Sequence, residues 1–248
     1  MKIKYTNSEI KDKYIVLDFL VENASVEDYD ITFWYESVVN EYTLKMLTSS
    51  DLSGDFVPAQ GSAILTIKYA LDDLQYCGIE KVNMIQFLIG DAETSEDDAV
   101  EVSFENLKID IPITEITKKS VNGRIKGILS EGEMSKNIDI SYVGYGVTDS
   151  QVCLKFIAEN NSKDYYGFTY WYASQVNRCA VDMSSSSEIS GALDAKGKVL
   201  LSIKYNLEML KKAQIEVIDE MSFLFDKKGE DKGKASTAKF TGLNIPII

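Results

Sequence analysis

Apolar and polar positions alternate along much of this chain. Ile15, Leu17, Phe19 and Val21 share one parity, and Val16, Asp18, Leu20 and Glu22 the other. A period of two puts successive side chains on opposite faces, so the pattern predicts a strand with one face on a core. Val152, Leu154, Phe156 and Ala158 repeat the inward set. A second strand is predicted through Ile31, Phe33 and Tyr35, matched by Phe168, Tyr170 and Tyr172. Others are expected near Tyr42–Met46, Ala63–Tyr69, Val82–Ile89 and Val100–Ile109. Leu71-Asp72-Asp73-Leu74 and Leu207-Glu208-Met209-Leu210 are the helical hints, each enough for one short turn.

The pattern is written twice. Leu17 to Ser25 returns as Leu154 to Ser162, Thr32-Phe33-Trp34-Tyr35 as Thr169-Tyr170-Trp171-Tyr172, and Ile67 to Leu71 as Ile203 to Leu207. The offset is 137 from Ile3/Ile140 to Gly54/Gly191, and 136 from Gly61/Gly197 to Leu107/Leu243 after a one-residue deletion. Roughly 105 residues carrying six or seven short strands with turns between them indicate an antiparallel sandwich. The expectation is all-β: two tandem immunoglobulin-like antiparallel β-sandwich domains, repeat 1 over 1–113 and repeat 2 over 138–248. Residues 114–137 read as a linker with turn-like Val121-Asn122-Gly123-Arg124 and Ser130-Glu131-Gly132-Glu133. Its Ile125-Lys126-Gly127-Ile128-Leu129 is a candidate leading strand of repeat 2, with no equivalent in repeat 1, which fits a chain trimmed at its N-terminus.

Asn23-Ala24-Ser25 and Asn160-Asn161-Ser162 match a glycosylation sequon. They also fit a turn in which Asn and Ser side chains bond the local backbone, and the turn is the preferred reading.

Glu159-Asn160-Asn161-Ser162, Val176-Asn177, Gly197-Lys198 and Leu210 to Ile215, with Glu22-Asn23-Ala24-Ser25, Val39-Asn40, Gly61-Ser62 and Leu74 to Ile79 in repeat 1, carry a family resemblance. The order resembles a repeat of uncharacterised, often secreted or membrane-anchored proteins of Gram-positive bacteria. Glu41 and Arg178 stand where that family usually has Gly, so the turn there is expected to differ. The resemblance implies an immunoglobulin-like sandwich outside the membrane and no catalytic residues.

Composition narrows the function classes. The net charge of −13 over 248 residues argues against a nucleic-acid partner, because phosphate contacts need clustered Lys and Arg, and none is expected. Residues 1–113 carry −14, residues 114–137 carry +2 and residues 138–248 carry −1. That imbalance reads as a solubilising surface, or as a face for a cationic partner. No apolar run is long enough to span a bilayer. Met1-Lys2-Ile3-Lys4-Tyr5 has no signal-peptide core, so the protein is expected to be cytoplasmic or to follow a removed leader. Cys77, Cys153 and Cys179 align with Ala213, Val16 and Tyr42, which is no disulfide framework.

The chain has no histidine, which removes His-dependent triads and His-liganded zinc, and no phosphate-binding or nucleophile-elbow motif occurs. Ser8-Glu9-Ile10-Lys11 matches Ser-x-x-Lys, but repeat 2 has Tyr145-Gly146-Val147-Thr148 there. No cofactor, metal or catalytic residue is expected. The acidic run Asp91 to Asp98 has the oxygen density of a calcium site, yet its counterpart Asp226 to Lys234 is lysine-rich. Two solvated hairpin tips of opposite charge are the better reading, and they suggest loop-to-loop meeting of neighbouring molecules. Lys68-Tyr69 and Lys204-Tyr205 read as ordinary strand decoration.

Trp34 and Trp171 stand at equivalent positions. If Ile31, Phe33 and Tyr35 point inward, strict alternation puts Thr32, Trp34 and Glu36 on the opposite face, and Thr169, Trp171 and Ala173 in repeat 2. Such aromatics could stack on a sugar or anchor a protein; a bulge or a covering loop would make them packing residues instead. The leading expectation is a non-enzymatic binding or structural module of the bacterial cell exterior, with a protein or carbohydrate ligand. A cytoplasmic acidic interaction or inhibitor protein comes second, and a carboxylate-dependent hydrolase third.

Overall fold

In the computed structural model, the described residues are all except 49–55, 92–97, 131, 133, 186–191, 228–234 and 248. The side chains of residues 34–36, 48, 91, 168–173, 184, 185, 192 and 227 also lie outside the description. Strands dominate, and the chain divides into two units. Unit 1 is Met1–Gln75 with Ile79–Ile113, and unit 2 is Tyr76–Gly78 with Thr114–Ile248.

Unit 1 contains β1 (Lys2–Lys11), β2 (Tyr14–Glu22), β3 (Tyr29–Val39), β4 (Tyr42–Lys45), β5 (Leu47–Thr48), β6 (Phe56–Val57) and β7 (Ser62–Ala70). After α1 (Leu71–Cys77) come β8 (Lys81–Asp91) and β9 (Val100–Asp110). One antiparallel sheet runs β1-β2-β7-β5 and the other β4-β3-β8-β9, with β6 beside β3. The inward parity of β2 is buried as the alternation requires: Ile15, Leu17, Phe19 and Val21 are 0–1% exposed. Phe19 reaches across to the other sheet, its ring 5.6 Å from Phe87 on β8 and 4.7 Å from Phe104 on β9. The core therefore lies between the two sheets. Truncating one such side chain to Ala costs about 3 kcal/mol.

Unit 2 opens with α2 (Glu115–Asn122), β10 (Ile125–Lys126), β11 (Ile128–Leu129) and a 3-10 turn at Met134–Lys136. It continues through β12 (Ile138–Val147), β13 (Gln151–Asn160), β14 (Tyr166–Val176), β15 (Cys179–Asp182), β16 (Ser184–Ser185), β17 (Ala192–Leu193) and β18 (Lys198–Asn206). α3 (Leu207–Lys212), β19 (Val217–Lys227) and β20 (Ser236–Pro246) follow. Its sheets run β10-β12-β13-β18 and β11-β20-β19-β14-β15, with β16 on β18 and β17 on β14. Phe156 repeats the role of Phe19, at 5.6 Å from Phe223 and 4.8 Å from Phe240.

Two elements lie in the segment 114–137, a helix that the sequence did not signal and the stretch read as a candidate leading strand. Glu115–Asn122 is helical, with the Thr114 N–H donating to Thr117 Oγ1 at 3.2 Å. It buries Thr117 and Ser120 and so carries no apolar stripe to read. Ile125–Leu129 is integrated into unit 2: β10 pairs with β12 and β11 with β20. The segment passes from the edge of one sheet to the edge of the other.

Candidate functional site

The repeated polar residues can be traced upward from the backbone. Asn23, 4% exposed, directly follows β2. Its Nδ2 donates to the carbonyls of Glu27 (2.8 Å), Val57 (3.3 Å) and Pro58 (3.2 Å), and its Oδ1 accepts from Ser25 N–H at 3.0 Å. Asn160, 1% exposed, does the same to Asp164 (2.7 Å), Leu193 (3.3 Å) and Asp194 (2.9 Å), accepting from Ser162 N–H at 2.9 Å. Both amides are buried and saturated, so neither sequon presents an amide to a glycan.

Asn40 and Asn177 form the second repeated clamp. Both adopt a left-handed backbone, φ 56° and 48°. Asn40 Oδ1 accepts from Asn83 N–H (2.9 Å) and Met84 N–H (3.2 Å), and its Nδ2 donates to Lys81 O at 2.9 Å. Asn177 Oδ1 accepts from Asp219 and Glu220 N–H, both at 3.0 Å, and Nδ2 donates to Val217 O at 2.6 Å. The geometry has a cause in the ladder. The register of β8 with β9 shifts between Val82 and Met84, and that of β19 with β20 between Ile218 and Glu220. Backbone N–H groups that leave a ladder need another acceptor, and the Asn carboxamide supplies it. The next residue distinguishes the copies: Arg178 is left-handed (φ 66°), whereas Glu41 is not among the positive-φ residues.

A third clamp joins the two sheets through the core. In unit 2 the Tyr205 hydroxyl donates to Ser174 Oγ at 3.0 Å, and Ser174 donates to Val181 O at 2.6 Å. In unit 1 Tyr69 and Ser37 are 2.8 Å apart, and Ser37 donates to Leu44 O at 3.3 Å. Burial pushes both phenols well above their ordinary ionisation range, while the serine contact pulls the other way. Sequence reasoning put Tyr69 and Tyr205 on the inward phase beside outward lysines, as the structure has them, and passed over the serines. The available signal was a hydroxyl residue on the inward parity at the same place in both repeats.

The tryptophans sit at a second irregularity. Phe33 faces Ile89 and Ser37 faces Phe87, so residues 34–36 oppose the single residue Leu88. In unit 2 Tyr170 faces Phe225 and Ser174 faces Phe223, so residues 171–173 oppose Leu224. Strict alternation, the basis for an outward Trp34 and Trp171, therefore stops at both tryptophans. The side chains of Trp34, Glu36, Thr169, Trp171 and Ala173 lie outside the described residues. Thr32 is half-buried, opposite Gly90. At the same point β3 changes its outer partner, from β6 at Tyr29–Asp30 to β4 at Glu36–Val39.

Among the described residues no group of three or more Cys, Asp or Glu is placed to hold a metal. The runs Asp91 to Asp98 and Asp226 to Lys234 fall largely outside the described residues. None of the three cysteines forms a disulfide; Cys77 is buried and Cys179 exposed. One open depression of about 360 Å³ lies beside α3 and β15 in unit 2, against Ala180, Asp182, Met209 and Lys212. Another of about 530 Å³ lies on the outer face of β1-β2-β7, where Thr66 donates to Asp18 at 2.8 Å between Lys11 and Lys68. Among the described residues, no helix is long and apolar enough to cross a membrane.

No family model matches this chain, and no curated protein does. The solved structures include a similar chain, the Pseudomonas aeruginosa CupB2 chaperone, at 10% identity and a TM-score of 0.24, covering 93% of each chain.

Proposed function

We propose that the chain is a non-enzymatic binding or structural module of the bacterial cell exterior. In this reading it consists of two tandem immunoglobulin-like sandwiches that act through exposed sheet edges and loops. One observation carries it. The polar residues repeated in both units, Asn23/Asn160, Asn40/Asn177 and Ser37/Ser174, all engage backbone or one another and so serve the framework. An exterior setting rests on the resemblance of the Glu-Asn-x-Ser, Val-Asn and Leu-to-Ile elements to repeats of secreted and membrane-anchored proteins. The concentration of −14 in residues 1–113 favours a second reading, a cytoplasmic acidic interaction or inhibitor protein.

Arraying the intact chain against glycans and peptides tests the first reading. Saturable, selective binding without turnover is expected. Hydrolysis of an arrayed substrate, abolished by a single carboxylate substitution, would overturn it. Fractionation of cells expressing the complete gene separates exterior from cytoplasm.

A further inference from the structure

On the outer face of unit 1, polar side chains ring a single apolar position. Along β2 the residues Ile15, Leu17 and Phe19 turn into the core, so Tyr14, Val16 and Asp18 stand on the opposite face, half-buried. The strand register supplies their neighbours. Asp18 lies between Asn7 and Thr66, Val16 between Glu9 and Lys68, and Tyr14 between Lys11 and Ala70. Val16 is therefore the centre of a patch three strands wide. The open depression of about 530 Å³ lies over it, a volume within the range of small-ligand sites.

The charges around Val16 have both signs. Glu9 and Lys68 stand on opposite sides of it, and Asp18 and Tyr14 precede and follow it along the face. Among the described residues, Glu9, Lys11 and Lys68 form no ion pair. Thr66 donates to Asp18 Oδ1 at 2.8 Å, which leaves Oδ2 for another donor. The face itself is common to both units: Gln151, Cys153, Lys155, Ser202 and Lys204, the equivalents of Tyr14, Val16, Asp18, Thr66 and Lys68, are half-buried as well. Only the chemistry differs. In unit 2 a lysine replaces the Asp18 acceptor and donates to Ser202 at 2.8 Å, and Gly146 stands in place of Glu9.

We propose that this patch is a carbohydrate site, taking one neutral pyranose unit of a glycan across Val16. This rests on the binding-module reading and names its ligand class. The mixture of signs disfavours a ligand of one charge: an anion drawn to Lys68 meets Glu9 and Asp18, and a cation drawn to Asp18 meets Lys11 and Lys68. A hydroxyl both donates and accepts, so sugar hydroxyls serve carboxylates and ammonium groups alike. Asp18 Oδ2 and Glu9 accept from the ring hydroxyls, Lys68 and Lys11 donate to them, and the C–H face of the ring covers Val16. Width separates a sugar from a free amino acid. The backbones carrying Glu9 and Lys68 are two strand spacings apart, about 10 Å. An amino acid holds both charges on one carbon, whereas a pyranose has hydroxyls on opposite rims of its ring.

Saturation-transfer difference spectra of the full chain with lactose, maltose, cellobiose and N,N′-diacetylchitobiose test the site. Transfer to ring C–H protons is expected, with amide shifts at Glu9, Val16 and Lys68 as the sugar is titrated. Asp18→Asn keeps an acceptor for Thr66 but loses the charge, and Lys68→Met keeps the stem but loses the donor. Each should raise Kd about tenfold, the loss of one hydrogen bond to a charged group. Lys204→Met, the equivalent change in unit 2, should leave Kd as it is. No transfer to any of these sugars, binding indifferent to both unit 1 changes, or larger shifts at these amides with glycylglycine than with sugar would overturn the proposal. Selective peptide capture on the arrays without sugar binding discards the site while leaving the module reading; failure of both discards both.

Discussion

The two units agree where side chains satisfy the backbone and part where a strand edge meets solvent. The Asn23 and Asn160 clamps match carbonyl for carbonyl, as do the Asn40 and Asn177 clamps at the register shifts. The seams between the two sheets, β12 with β20 and β1 with β9, do not match: Phe240 is buried under Ile125–Leu129, while Phe104 is half-exposed. The Asn23 and Asn160 clamps satisfy backbone carbonyls that are buried or partly buried, whereas the Asn40 and Asn177 clamps hold exposed backbone, so losing Asn23 or Asn160 is the costlier change. An unpaired edge is different. Its carbonyls can turn to water, and its cost is an uncovered apolar strip.

Gly127→Val is the most damaging way to break this contrast. Its Cβ would meet the Phe240 ring at 2.7 Å and Ile140 O at 3.1 Å. About 3 kcal/mol of unit 2 stability should be lost, by the penalty for overpacking. In denaturant titrations the unit 2 transition should move to lower concentration with unit 1 unchanged. Unchanged stability would mean that the segment does not seal the seam.

Removing the Asn23 or Asn160 clamp should cost about 2 kcal/mol, because one buried and two part-buried carbonyls lose their donor. Asn160→Ala should destabilise unit 2 as much as Asn23→Ala destabilises unit 1. Markedly unequal losses would show that equal geometry hides unequal energetics.

Tyr69→Phe and Tyr205→Phe should each cost about 1 kcal/mol, since the serine keeps its bond to the backbone. These phenols also set an alkaline limit. In the folded chain their ionisation is pushed to higher pH than in the unfolded chain. Above about pH 10 the unfolded chain releases protons that the native state retains, so stability falls as pH rises. Below that range their contribution is fully present. The double Phe variant should show a shallower fall between pH 10 and 12, and an unchanged slope would count against the buried phenols as its cause.

The smallest effect is at the β14–β15 turn. Arg178→Gly relieves a left-handed backbone and should stabilise unit 2 by about 0.5 kcal/mol, glycine's added chain entropy offsetting part of the gain. Glu41→Gly should be neutral or slightly destabilising, which thermal melts of the pair would resolve.

Much of the fold was legible because burial follows parity. Ile15 to Val21 alternate in sequence and are buried as strand β2. The Asn-x-Ser turn was legible because Asn and Ser bond their own backbone in few other ways. The irregularity at Trp34 was hidden for a physical reason. Three residues replace one across from Leu88, so parity is preserved, and Phe33 and Ser37 are both buried as a regular strand would bury them. Helix Glu115–Asn122 was hidden because its buried residues, Thr117 and Ser120, are polar. The seam in unit 1 was half legible. Ile125–Leu129 was legible as a candidate leading strand, but the equal placement of Phe104 and Phe240 was not.

Hydrogen exchange, read by mass spectrometry on the free chain, measures the contrast most directly. Fragments covering β12 and β20 should exchange slowly, while those covering β1 and β9 should exchange markedly faster, with β2 and β13 equally protected as internal references. Equal protection of β1 and β12, and of β9 and β20, would contradict an open seam in unit 1.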